Sequence, residues 1–414
     1  MDFVQLALFH FEQNESEQAI KLINDLLPMA SSREKFEVAY ILYEFGFTSR
    51  AKTIIHELLD ENPENSDYKI LLADIFIATE QDDEAIHLLH DIPATDENYL
   101  PSLIQLADLY QAQGLYEVAE QKLFEAKQIN QEEQIIDLAL AELYFTSGEF
   151  NRCIQLYEQI IKEADNIGGI SITARLAESY AAIGKYEKAF SYFEQISDED
   201  PDFLFKHGLM AFHLERYSVA IQKWERLIEI DPYYYSVYQF LGEAYYVEGM
   251  LNKAHEITVE GLNFDEHNDE LYFLAAKIAL KRRAEEDALQ YIERAIELNP
   301  DHREYVTLYI ERLRKSLHDE KVVSFLRDLL ANDIYDPLFE WELAKSLYEL
   351  DRLEEALPYY EKVYKHFEED PVFLHEYGYF LMELGNMDKA KNILLKYIEK
   401  EPMDEDTIEF LNRM

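Results

Sequence analysis

One cysteine, Cys153, stands in 414 residues, so no internal disulfide can staple the chain. Glycine and proline are scarce as well, at 12 and 11 residues, which argues against a turn-rich β architecture. Basic side chains are few: 38 Lys and Arg stand against 84 Asp and Glu, a formal net charge of −46. A field of that sign repels nucleic acid and anionic membrane surfaces, and a charge-steered partner is expected to be basic. No apolar run approaches the ~18 residues of a membrane-spanning helix. The start, "MDFVQLALFHFEQNESEQA", carries neither the basic region nor the cleavage pattern of a signal peptide. The cytoplasm is the expected location.

Catalytic signatures are missing too. There is no Walker-type loop, no nucleophile elbow and no Cys/His set at zinc spacing. Glu84, His87 and His90 share part of one helix face, but an i, i+3 histidine pair without further ligands is the pattern of ordinary helix-surface histidines. No enzyme activity, metal or cofactor is expected.

What is present is repetition. "LADLYQAQGLYEVA" (106–119), "LAELYFTSGEFNRC" (140–153), "LAESYAAIGKYEKA" (176–189) and "LGEAYYVEGMLNKA" (241–254) share one code. A small residue follows Leu, an aromatic stands three further on, then Gly, then a second small residue. Apolar positions at three- and four-residue steps on both sides of the Gly make each unit two amphipathic helices joined by a tight turn. The second small residue falls at Ala19, Ala51, Ala85, Ala119, Cys153, Ala189, Ala220, Ala254, Ala288, Val322, Ala356 and Ala390. Most steps between these markers are 34 residues. The exceptions are 32 at the start and 36 and 31 on either side of Ala189.

A 34-residue helix-turn-helix period with this small/aromatic code resembles the tetratricopeptide repeat (TPR) family. The pattern is fullest in "YQFLGEAYYVEGMLNKA", and Pro63, Pro232, Pro300 and Pro402 sit at the family's repeat-ending position. The length and composition are similar to those of long bacterial cytosolic TPR arrays. The resemblance implies an all-α fold: a right-handed α-solenoid superhelix of about twelve repeats, with residues 405–414 as a short capping helix. The spacing changes suggest an N-terminal array over 1–168 and a C-terminal array over 169–404, with a joint at 164–202 where Gly168-Gly169 can absorb a change of direction. Cys153, in a small-residue slot, is expected to be buried and inert. Repeat ten is degenerate: Ile310 and Val322 fill its small slots and Leu317 its turn position, so its helix pair is expected to splay.

In TPR proteins the first helix of each repeat lines a groove, and ligands lie there as extended peptides or helices. By that resemblance, position nine presents Asp74, Asp108, Glu142 and Glu178 as an acidic ladder, followed by Leu209, Glu243, Lys277, Glu311, Lys345 and Tyr379. A family clamp for C-terminal carboxylates is disfavoured, since carboxylates here replace its cations. The second half of the groove is aromatic, with Phe205, Phe212, Phe240, Tyr246, Phe273, Trp341, Tyr348 and Tyr379 on groove positions. Trp341 is expected to be an exposed anchor because position five is not a packing slot of the repeat. Asp269–Asp333 holds eleven basic and fourteen acidic residues, a net of −3, which leaves −43 for the rest. Its Lys281, Arg282, Arg283, Arg312, Arg314 and Lys315 form a candidate secondary contact. A second is the surplus run Tyr233, Tyr234 and Tyr235 in the turn after Pro232.

The expected function is a non-enzymatic scaffold or adaptor for protein or peptide partners carrying a basic or apolar segment. By analogy with long bacterial arrays, it presents a client to another machine such as a protease. The alternative is a peptide-sensing regulator whose superhelix changes on binding a signal peptide. Neither nucleic acid nor membrane is an expected partner.

Overall fold

The computed structural model describes residues 3–196 and 199–413. They fall into two compact units divided between Ser197 and Asp198, two residues of the expected joint that lie outside the described residues. Each unit is an all-α solenoid of six helix pairs.

In the first unit the leading helices of the pairs are α1 (Phe3–Glu12), α3 (Ser32–Glu44), α5 (Ser66–Ala78), α7 (Tyr99–Ala112), α9 (Gln134–Thr146) and α11 (Ile172–Ala182). In the second they are α13 (Pro201–His213), α15 (Ser236–Val247), α17 (Asp269–Lys281), α19 (Arg303–Lys315), α21 (Pro337–Glu349) and α23 (Pro371–Glu383). A final helix, α25 (Glu405–Arg413), packs through Thr407 and Leu411 against α24 (Met387–Lys400). Leading helices of neighbouring repeats touch one another (α1 and α3, α3 and α5, α7 and α9, α13 and α15, α15 and α17), so they form the inner face of each unit.

The paired small residues explain why the helices close. Ala73 with Ala85, Ala107 with Ala119, and Ala344 with Ala356 are at most 1% exposed, and their size lets two backbones approach. Gly208 goes further: a Cβ there would run into the Trp224 indole, so its absence is what admits the largest side chain of that core. Cys153 is fully buried in its small slot, and burial pushes its thiol pKa up. In repeat ten Ile310 and Val322 are buried where small residues stand elsewhere. There α19 and α20 (Asp319–Ala331) pack less closely than the two helices of any other described repeat.

Each turn inside a repeat places one residue in the left-handed region. Glycine fills it at Gly46, Gly114, Gly148, Gly184, Gly249 and Gly385, but Asn14, Glu80, Glu215, Arg283, Leu317 and Asp351 take it with φ between 57° and 62°.

The lengthened connection after α10 (Phe150–Ile160) contains a small hairpin, β1 (Asn166–Ile167) against β2 (Ile170–Ser171), closed by Gly168 and Gly169 at φ 60° and 86°. Asp165 fastens it to α11 by accepting hydrogen bonds from the Thr173 amide at 2.9 Å and hydroxyl at 2.7 Å.

Candidate functional site

One contact rule organises the inner faces: position nine of a repeat meets position six of the next. Gln105 Nε2 donates to Asp74 at 2.8 Å. Arg175 donates to Glu142 from Nε at 2.9 Å and Nη2 at 2.8 Å. Lys345 Nζ lies 3.7 Å from Glu376. By the same register the position-six partners of Asp108, Glu243 and Lys277 are the apolar Ala139, Leu274 and Leu308, and Lys277 Nζ lies instead 4.8 Å from the Phe273 ring centre.

The acidic ladder therefore divides. Asp74 and Asp108 keep their charge available, and no cation among the described residues lies within 4 Å of either. Burial pushes the Asp74 carboxyl up to about 6, against the opposing Gln105 hydrogen bond and with a smaller contribution from Glu44. Asp108 reaches solvent, but the surrounding helices desolvate its carboxyl and raise its pKa. Glu142 and Glu178 are different. Arg175 ties both, at 2.8 Å and 3.3 Å, and the Tyr157 hydroxyl donates to Glu142 at 2.5 Å. The expected four-step ladder is thus a two-carboxylate site beside an internal ion-pair network. The reason is the Arg175 guanidinium, which reaches Glu142 from the following repeat and Glu178 along its own helix.

On the leading helices of the first two repeats, α1 and α3 border an open, largely apolar pocket of about 440 Å³ lined by Val4, Leu8, Phe36, Tyr40 and Ile41. Tyr40 is 51% exposed there. Sequence reasoning missed this pocket because Leu8 and Tyr40 stand at position nine of the first two repeats, before the charged part of the column begins.

The aromatic half of the expected groove is mostly core. Trp341 is 7% exposed; its rings pack on Phe367 at 4.8 Å and Phe373 at 5.2 Å, and its indole donates to Glu376 at 2.9 Å. It does not stand free as an anchor, because a Trp at position five is long enough to reach the next repeat. Phe273 is likewise buried, 4.5 Å from Tyr305. Phe205, Phe212 and Phe240 are half-buried around Trp224, at 5.8 to 6.4 Å. Tyr379 is covered by the capping helix, bonded to Thr407 at 3.1 Å and set against Phe410. Tyr348 packs edge-on to Phe380, with its hydroxyl pushed up to about 12 mainly by burial. Tyr246 keeps a half-open ring with Lys281 Nζ 4.6 Å above it. It borders a pocket of about 490 Å³ together with Phe273, Lys277, Lys281, Thr307 and Arg312.

The expected basic contact also divides. Arg314 fastens α19 of the splayed repeat to α21 of the next: it ion-pairs with Glu342 and donates to the Ser346 hydroxyl at 2.8 Å. Arg312 and Lys315 both hold Glu311, at 3.0 and 2.7 Å. Lys281, Arg282 and Arg283 remain exposed, with no carboxylate of the described residues within 4 Å. Of the three loop tyrosines, Tyr234 is structural, its ring 5.1 Å from Phe205 and its hydroxyl donating to Asp202 at 3.0 Å. Tyr233 and Tyr235 project outward. Among the described residues no group of three or more His, Cys, Asp or Glu could hold a metal, and His90 instead meets the Tyr110 hydroxyl at 2.9 Å. No helix is long and apolar enough to cross a membrane among those residues.

Comparison with known proteins places this architecture. Family models for YpiA-like tetratricopeptide repeats match residues 111–165, and for YpiA-like C-terminal tetratricopeptide repeats residues 337–404. General tetratricopeptide repeat models match 42–109, 174–235 and 269–302. The TPR repeat-containing protein YpiA of Bacillus subtilis (strain 168) is 34% identical over 413 residues, covering 99% of this chain and 98% of the relative. Human tetratricopeptide repeat protein 21A is 24% identical over 163 residues, 37% of this chain and 12% of that protein. Among solved structures, YrrB, described as a TPR protein with an unusual peptide-binding site, aligns with a TM-score of 0.41 at 20% identity. It covers 45% of this chain and 96% of its own.

Proposed function

The chain belongs to the tetratricopeptide repeat family, and from that premise we propose that it is a non-catalytic interaction scaffold. Repeat proteins of this family generally serve to hold other proteins. Here the inner face of the first unit takes a partner segment with an apolar side chain and basic residues. The observation that carries this reading is the pair Asp74 and Asp108, two partly desolvated carboxylates with no cation of the described residues within 4 Å, on leading helices of the same unit that holds the open Leu8–Phe36–Tyr40 pocket. A partly desolvated carboxylate gains from a counter-charge that reaches it, so a Lys or Arg from a partner gains more here than at a fully hydrated surface. The scaffold reading extends to regulation: a client held on one inner face is delivered to a second protein, such as a protease.

The test places one charge change in two locations. Asp74→Lys/Asp108→Lys alters the inner face, and Glu57→Lys/Asp83→Lys alters exposed positions on the outer helices α4 (Thr48–Glu61) and α6 (Asp82–His90). A fluorescein-labelled peptide of alternating Leu-Leu and Lys-Lys pairs is titrated by anisotropy at 0.15 M salt. The inner pair should weaken binding about tenfold, as loss of charge-assisted contacts does, and the outer pair much less. Equal weakening by both would show only the attraction of the whole −46 field and would sink the proposal.

A further inference from the structure

The second unit carries an aromatic surface away from its inner face. The turn before α15 and the end of α16 (Leu251–Phe264) bring three rings together. Tyr235 stacks on Phe264 at 5.4 Å, Tyr233 lies 6.0 Å from Phe264, and the two tyrosines are 6.3 Å apart. All three are open to solvent: Tyr233 is 68% exposed, Tyr235 51% and Phe264 38%. Neither free tyrosine hydroxyl bonds to a described residue.

The turn displaying these rings is fixed by the other tyrosines of the same run. Tyr234 is tied to Asp202, and the Tyr238 hydroxyl donates to the Pro232 carbonyl at 2.8 Å. Tyr238 also backs Phe264 from the core side at 5.2 Å. Asp231 caps the turn by accepting from the Tyr233 amide at 3.0 Å. The rings are thus held in place before anything binds, which lowers the ordering cost of an interface.

The sequence flanking the rings is rich in carboxylates, with His267 as the one ionisable base beside them. Asp231 precedes the rings, Glu260 lies one helical turn before Phe264, and Asp265 and Glu266 follow it. No Lys or Arg occurs between Arg226 and Lys253, or between Lys253 and Lys277. Arg226 is held by Glu199 and Glu229, and Lys253 by Glu225. A second copy of the chain would bring carboxylates against carboxylates.

We propose that Tyr233, Tyr235 and Phe264 form a docking surface for an arginine-bearing segment of a partner protein. A guanidinium lies flat on the rings, and its N–H groups reach the rim carboxylates. Aromatic faces attract cations, and Arg combines stacking with a donor fork that Lys lacks. The surface is separate from the inner-face site and does not depend on it.

The probe is a fluorescein-labelled peptide, Gly-Arg repeated four times, titrated at 0.15 M salt beside its lysine counterpart. The wild-type chain should bind the arginine peptide more tightly than the lysine one. Tyr233→Ser/Tyr235→Ser should weaken the arginine peptide by about fivefold, the range of a partly desolvated cation–π contact. Tyr233→Leu/Tyr235→Leu, which keeps apolar bulk but removes the π faces, should weaken it similarly while holding the turn. Asp74→Lys/Asp108→Lys should leave the Arg-over-Lys preference intact, which separates this surface from the inner face. Unchanged arginine binding in both tyrosine variants overturns the proposal. So does a dimer, detected by sedimentation, that the same variants dissociate.

Discussion

Arg175 grips Glu142 across the junction of two successive repeats, with nitrogens at 2.9 and 2.8 Å from its two oxygens, and holds Glu178 with a third at 3.3 Å. One guanidinium thereby neutralises two of the four carboxylates in the column. Without the counter-charge, Glu142 would stay desolvated beside the Tyr157 hydroxyl. Arg175→Gln should therefore cost about 1–3 kcal/mol of stability in urea unfolding. Adding Glu142→Gln should recover much of that loss, because the stranded charge is gone. A loss of similar size in both variants would mean that Arg175 acts through packing alone.

The nine-to-six rule can be completed by design. Ala139→Lys puts a cation where Asp108 has none, and the Asp108 carboxyl should then titrate lower than in the parent chain. The same change should weaken the Leu/Lys peptide, since the internal lysine competes for the carboxylate. NMR titration of the Asp108 side chain checks the first effect and anisotropy the second.

Asp74 makes stability depend on pH in a defined sense. Its folded value of about 6 lies above the ordinary aspartate value. The folded state therefore keeps a proton that the unfolded state has already lost, and stability from this group falls as pH rises from about 4 to 6. Above that window the full cost of ionisation remains. Asp74→Asn, which can still accept from Gln105, should raise the melting temperature at pH 7.5 and leave it nearly unchanged at pH 4. Thermal unfolding of the two proteins at both pH values checks this.

Trp341→Ala should cost about 3–5 kcal/mol, the range for deleting a large buried side chain. It also leaves Glu376 without its indole donor. Trp341→Phe should cost less, because a phenyl ring keeps much of the packing on Phe367 and Phe373. Near-neutral unfolding data for the alanine variant would contradict the buried placement.

Leu317 is 88% exposed and sits at φ 59°, a backbone region that disfavours any side chain with a Cβ. The turn glycines that occupy the equivalent place have nothing within 4 Å of an added Cβ, so conformation rather than crowding decides there. Leu317→Gly should gain about 1 kcal/mol in chemical denaturation. The loosely paired helices of repeat ten make this the turn where relief of strain is easiest to see.

The period was legible in the sequence because packing two helices closely requires small residues at fixed places. Ala107 with Ala119 and Gly242 with Ala254 could be read without coordinates, and both pairs are buried as that requirement demands. Exposure of single large side chains was not legible. Trp341 stands at a groove position in the repeat code, yet its length carries it into the neighbouring repeat's core. Arg175 could have been found in principle, since it lies 33 residues after Glu142 and so at position six of the next repeat. The signal was there, but the rule that position nine meets position six is a property of stacking.

The run "DPYYYSVYQFLGEAYYVEG" shows where the division lies. Composition and spacing by themselves determined the repeat, the helix pairs and the acidic field, because each follows from period or from counting charges. Only the tertiary structure decided which tyrosines are anchors and which face solvent. It alone decided, too, which carboxylates a neighbouring repeat neutralises. Those outcomes depend on side chains about 30 residues apart in sequence meeting across a stacked interface, and only the packed solenoid brings them together.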